Sequence, residues 1–242
     1  MTIRFLAGFV LLFGTLMGLA EIDGTGRLGL PIVAAVLLVA LVVERVLYRQ
    51  SPADGFRALG FGRPTGRSLA VVTAVCVPVL VVPWLLVGAV PTLRPGWPWL
   101  LLGIFAFHGL AEELVWRGYA YRRLREGRSF GRAVLLTMPL VAVAHVPVLV
   151  RSGVAVGLAA LAVAAVTSIP FAHLWEMGRG TIWAPALLHT AIDAFKLVDV
   201  PADATVAYSL ALAGVSIVVP LLALLVPRRA EAARPLGTPT RR

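Results

Sequence analysis

The residues that could do chemistry stand where they are hardest to accommodate. Glu112, Glu113 and Arg117 fall inside one apolar stretch, His145 inside a second, and His189 and Asp193 inside a third. An ionisable side chain at the centre of a membrane helix costs about 2.5–3.5 kcal/mol on insertion scales, so such groups are functional suspects that should face a bundle interior or a watery cavity. Side chains four apart share a helix face. That rule pairs Glu113 with Arg117, His108 with Glu112, and His189 with Asp193. Glu113 and Arg117 then read as a buried, charge-assisted pair that fixes helix register. Glu112 has only His108 on its own helix to satisfy it, and His108 reads as a supporting neighbour. A carboxylate and an imidazole together can activate a water as general base, and a second imidazole can donate to an oxyanion. The same Glu and His side chains would also suit a zinc ion. Both routes end in hydrolysis. The sequence has no His-Glu-x-x-His motif, no serine in a nucleophile elbow and no aspartate pair on two spans.

Long apolar helices must carry these groups. Hydrophobic residues make up 59% of the 242 and charged residues 14%, against about 25% charged in a soluble domain. That composition excludes a cytosolic enzyme, a disordered chain and a fibrous repeat. A helix needs about 20 apolar residues to cross a bilayer. The sequence divides into about eight such spans, near 5–20, 30–48, 68–90, 98–119, 133–150, 153–175, 181–197 and 205–226. Pro, Gly and Arg gather in the gaps at 51–67, 91–97 and 227–242, the last read as a disordered tail. The expected fold class is an all-α membrane protein, because lipid offers unpaired backbone groups no partners. Three regions follow: membrane helices over 1–97, a helical core with the ionisable groups over 98–197, and a last span with a basic tail over 198–242.

Charge orients the helices. The net charge is +10, and of the 22 basic residues only Lys196 is a lysine. With the N-terminus inside, 17 basic residues fall in inside segments, and four fall outside: Arg27, Arg94, Arg151 and Lys196. That asymmetry puts both termini on the cytoplasmic side, and it accounts for the basic balance without a nucleic-acid partner. On this topology Glu112, His145 and His189 reach similar depths, between the membrane centre and its inner half. Residues 1–20 also admit a reading as a cleaved signal peptide, with Gly18-Leu19-Ala20 ahead of Glu21.

Ala111-Glu112-Glu113-Leu114-Val115-Trp116-Arg117-Gly118-Tyr119 resembles the Glu-Glu-x-x-x-Arg-Gly motif of the CPBP intramembrane proteases, the Abi family, relatives of the type II CAAX prenyl endopeptidase. Ala142-Val143-Ala144-His145 is similar to the family's second motif, with Val141 where a Phe is usual. The stretch from Thr181 through His189 to Asp193 is similar to the third. The likeness runs over about residues 98–196. It implies a helical membrane fold with a cavity open to the cytosol, and hydrolysis of a peptide bond near the end of a substrate. Carried over, Glu112 and His145 would activate the water. Glu113, held by Arg117, would shape the site. His189 and residue 193 would stabilise the oxyanion. The resemblance leaves the metal open: the family name says metalloprotease, and a metal-free glutamate mechanism uses the same residues. Zinc ligands, if used, would come from Glu112, His145, His189 and Asp193. The family usually has Asn where this chain has Asp193. An amide can donate to an oxyanion, whereas an ionised Asp only accepts. Asp193 would then stay protonated, orient His189 or bind a metal.

The expected function is that of an intramembrane endopeptidase, a multi-pass protein of a bacterial inner membrane, since an Arg-rich, Lys-poor chain suits a GC-rich genome. Its partners would be a peptide or membrane-anchored protein substrate and membrane lipid. Two other readings use the same residues. One is a catalytically inactive scaffold or bacteriocin-immunity protein of the same fold. The other is a proton-coupled transporter, whose relays also use intramembrane Glu and His; the sequence lacks the inverted repeat that would mark one.

Overall fold

The computed structural model describes residues 2–23, 25–88 and 90–228. The tail expected to be disordered lies outside the described residues from 229 onward. Seven helices among the described residues are long and apolar enough to cross a bilayer: Ile3–Ile22 (α1), Gly29–Tyr48 (α2), Gly66–Val87 (α4), Trp97–Arg125, Phe130–Arg151, Val154–Met177 (α9) and Thr205–Leu225. The chain is an all-α multi-pass membrane protein. A short helix, α3 (Pro52–Phe56), follows α2 and runs into a π-helical turn at Arg57–Phe61. The fourth span is composite. It begins as α5 (Trp97–Ile104), passes through π-helical stretches at Phe105–Ala111 and Leu114–Tyr121, and ends as α6 (Arg122–Arg125). The fifth breaks at His145 into α7 (Phe130–Ala144) and α8 (Val146–Ser152). The last is α11 (Thr205–Leu221) with a 3-10 turn. Polar caps start several of these helices: the side chains of Thr2, Thr65 and Ser129 accept from the N–H groups of Phe5, Ser68 and Arg132.

The segment 181–197, expected as the seventh span, is not one of these seven long helices. It forms α10 (Trp183–Asp193), 11 residues long, followed by a 3-10 turn at Ala194–Leu197. At 1.5 Å per residue that reaches about 20 Å. Its ends are tied to the loop ahead of α4 and to the strand after it, at opposite ends of the bundle. Ile182 N–H donates to the Gly60 carbonyl at 3.0 Å, and Trp183 Nε1 to that of Gly62 at 2.8 Å. At the other end, β2 (Val198–Asp199) pairs antiparallel with β1 (Thr92–Leu93), just ahead of the fourth span. Ala184, Ala186 and Leu188 are buried inside the protein.

The fourth span is the centre of the bundle. In its most apolar window 61% is buried, against 22–33% in the other six spans, which keep a lipid-facing side. Phe5, Phe9, Leu12 and Leu16 of α1 recur at helical spacing and bury toward Leu114–Tyr121, and Ile32, Val36, Ala40 and Val43 of α2 toward Phe105–Ala111. On the opposite flank α4, α10 and α11 share a second core built from Val72, Val75, Val79, Leu188 and Val215. Tyr119 Oη donates to the Phe5 carbonyl at 3.0 Å, which locks α1 onto the motif helix.

Candidate active site

Two elements supply the site. The fourth span carries His108, Glu112, Glu113, Trp116 and Arg117; α10 carries His189 and Asp193, and the turn after it carries Lys196. Glu112 and Glu113 fall between the two π-helical stretches. Such turns recur at functional sites because they offset the side-chain rows of a helix. Gly109 lets α10 close in one turn earlier. A Cβ there would stand 2.7 Å from Thr190 Oγ1 and 3.0 Å from the Ala186 carbonyl oxygen, so any larger residue would push the two elements apart.

His189 lies between the two glutamates. Its Nδ1 is 2.8 Å from Glu113 Oε1, and a carboxylate only accepts, so Nδ1 carries the proton. Its Nε2 lies 3.7 Å from Glu112 Oε2 and 3.5 Å from Asp193 Oδ2. Glu113 Oε1 also accepts from Arg117 Nη1 at 3.1 Å, in a pair whose side chains are 0% and 3% exposed. The Arg117 guanidinium sits 4.5 Å over the Phe171 ring, and Phe171 meets the His189 ring edge-on at 5.4 Å. Arg117, Glu113 and Phe171 thus fix the Nδ1 proton and the tilt of the His189 ring.

Glu112 is held differently. Its Oε1 lies 2.8 Å from His108 Nδ1, and its Oε2 accepts from Trp116 Nε1 at 3.5 Å. His108 Nε2 faces Lys196 Nζ at 2.6 Å. An ammonium only donates, so His108 is neutral here with its proton on Nδ1. Lys196 Nζ is also 3.3 Å from Asp193 Oδ1. A continuous chain runs from Asp193 through Lys196 and His108 to Glu112.

Of the residues singled out by sequence, the structure gathers Glu112, Glu113, Arg117, His189 and Asp193, with His108 beside Glu112. His145 stands apart. It occupies the α7–α8 break, and its Nδ1 donates to the Val141 carbonyl at 3.0 Å. Among the described residues no hydrogen bond or ion pair joins it to Glu112, His189 or Asp193. Pro147 has no N–H to continue α7, which is why the helix breaks here. Lys196 went unnoticed in the sequence, where it counted only as an outer-loop charge. Its signal was local: it follows Asp193 by three, one helical turn.

One ring nitrogen each of His189 and His108 already faces a glutamate. His189 Nδ1 is committed to Glu113 and His108 Nδ1 to Glu112. Among the described residues no group of three or more His, Cys, Asp or Glu side chains is disposed to hold a metal ion. The residues as arranged do not fit one.

Residues 94–195 match the family model for type II CAAX prenyl endopeptidase Rce1-like proteins. This part of the chain is similar to the CPBP family. No curated protein and no solved structure matches the chain. The CPBP match runs from the start of the fourth span through α10, the two elements that carry the site, and leaves α1–α4 and α11 outside it. CPBP proteins of this type are, in general, CAAX-type intramembrane proteases.

Proposed function

We propose that the protein is an intramembrane endopeptidase in which Glu112 activates the attacking water. The observation that carries this reading is the spacing around His189: its Nε2 stands 3.7 Å from Glu112 and 3.5 Å from Asp193. Those separations exceed a direct hydrogen bond and suit one bridging water. As that water attacks the scissile carbonyl, Glu112 takes its proton and later passes it to the leaving amine. His189, as an imidazolium with Nδ1–H held by Glu113 and Nε2–H facing the Glu112 and Asp193 carboxylates, donates from Nε2 to the oxyanion. His108 and Trp116 aim Glu112. Asp193 stands in place of an amide that could donate, and Lys196 balances its charge and brings a donor to the same corner. The resemblance gives His145 a part in activating the same water. Its Nδ1–H is tied to Val141, which leaves Nε2 as the basic atom for that part.

The substrate is a peptide or membrane-anchored protein, and the setting is a bacterial inner membrane with the termini in the cytoplasm. No step runs through zinc. The test is cleavage of a quenched peptide library by the purified protein in detergent. Wild type should cleave, and Glu112→Gln should lose the activity by a factor of 10² or more, the usual contribution of a general base. A folded wild type that cleaves no peptide would return the weight to the scaffold or immunity reading, and flux driven by a pH gradient would favour the transporter.

A further inference from the structure

We propose that a second site, at the inner end of the bundle, binds the phosphate headgroup of an anionic phospholipid. It is a cavity of about 640 Å³ lined by the first turn of α1, the last turn of α2 and the segment that closes the fourth span. Every lining residue lies at a span end, so the cavity sits at headgroup depth and not in the hydrocarbon. Its wall is amphiphilic. Phe5 and Leu124 are buried apolar side chains, while Arg4, Arg123 and Arg128 bring three guanidinium groups to the same space.

Two of these cations have charge to spare. Arg123 and Arg122 both bond Glu44, at 2.6–2.8 Å and 2.5 Å, so one carboxylate is answered by two guanidiniums. Arg4 is exposed, and no ion pair engages it among the described residues. Glu126 is the one acid in the lining, and Arg128 binds its carbonyl, not its carboxylate. Arg123 also presents an unused donor. Its side chain is 10% exposed and stacked on Tyr48 at 3.1 Å, and its Nε is buried with no hydrogen-bond partner. A buried donor without an acceptor costs free energy, and a phosphate oxygen would relieve it. The start of α1 adds the partial positive charge of a helix N-terminus. Guanidiniums above and apolar walls below fit a phosphate ester on a glycerol with acyl chains. The positive-inside orientation would place this end on the cytoplasmic leaflet, where anionic lipid concentrates.

The proposal is independent of the protease reading and is tested without an activity assay. The full-length protein, purified in neutral detergent, is offered equal amounts of phosphatidylglycerol and phosphatidylcholine, and retained lipid is counted by native mass spectrometry. Phosphatidylglycerol should be held about tenfold or more in preference. The double variant Arg4→Gln/Arg128→Gln should lose that preference with its thermal unfolding unchanged, since both residues lie outside the Glu44 pair. Equal retention of the two lipids, or a preference undiminished in the double variant, would overturn the proposal. So would release of the lipid by inorganic phosphate, which would assign the site to a soluble anion, or by a peptide with a free C-terminal carboxylate, which would assign it to substrate.

Discussion

The fourth span carries two carboxylate clusters that are built in opposite ways. At its inner end Glu44 reaches over from α2 and meets Arg122 at 2.5 Å and Arg123 at 2.6 Å. About 15 Å earlier along the helix, Glu112 meets His108 at 2.8 Å, Trp116 at 3.5 Å and His189 at 3.7 Å. Burial hardly separates them: the Glu44 side chain is 1% exposed and that of Glu112 16%. The kind of partner does. A guanidinium cannot give up its proton in a protein, so the Glu44 cluster can only hold helices together. An imidazole exchanges protons near neutrality, so the Glu112 cluster can move one. On the proposed reading, the acid ringed by arginines is architecture and the acid ringed by imidazoles does the chemistry.

That contrast breaks first at the two glutamates themselves. Glu44→Gln should keep a measurable cleavage rate per folded molecule while losing about 3–5 kcal/mol of stability, because two buried arginines lose their partner. Thermal unfolding beside the activity assay checks it, and an inactive but fully stable Glu44→Gln would merge the two clusters. Next comes His189→Ala, expected to lower kcat by about 10²–10³ through the lost oxyanion donor. His145→Ala should cost about 10² if the role implied by resemblance holds; an unchanged rate would leave His108 as the working imidazole on Glu112. Lys196→Met should lower kcat by about tenfold with little change in KM, and Lys196→Arg should recover part of the loss by restoring the charge. The smallest effect belongs to EDTA, which should leave the rate within about twofold; a larger loss restored by zinc would return the metal to the mechanism.

Local pairings were legible in the sequence and distant ones were not. Residues four apart on one helix, Glu113 with Arg117 and His108 with Glu112, are joined as their spacing implies. Lys196 meets His108 across 88 positions, and Arg122 meets Glu44 across 78; nothing in the local pattern encodes such pairs. Hydropathy gave the seventh expected span the look of the others because it reports what a residue is, not whether lipid or protein surrounds it. Leu188 and Ala191 of α10 are apolar because they pack on α4 and its neighbours. Depth put His145 level with Glu112, but depth along a helix does not give a ring's direction, and the break ahead of Pro147 turned on backbone geometry.

The central claim is that Glu112 takes the proton of the attacking water. It is tested most directly by measuring peptide affinity and single-turnover cleavage on the same samples of wild type and Glu112→Gln, matched for thermal unfolding. The account predicts an affinity within about threefold and a cleavage rate lower by a factor of 10² or more. A Glu112→Gln protein that cleaves within about tenfold of wild type, or whose loss merely follows weakened binding, would contradict it.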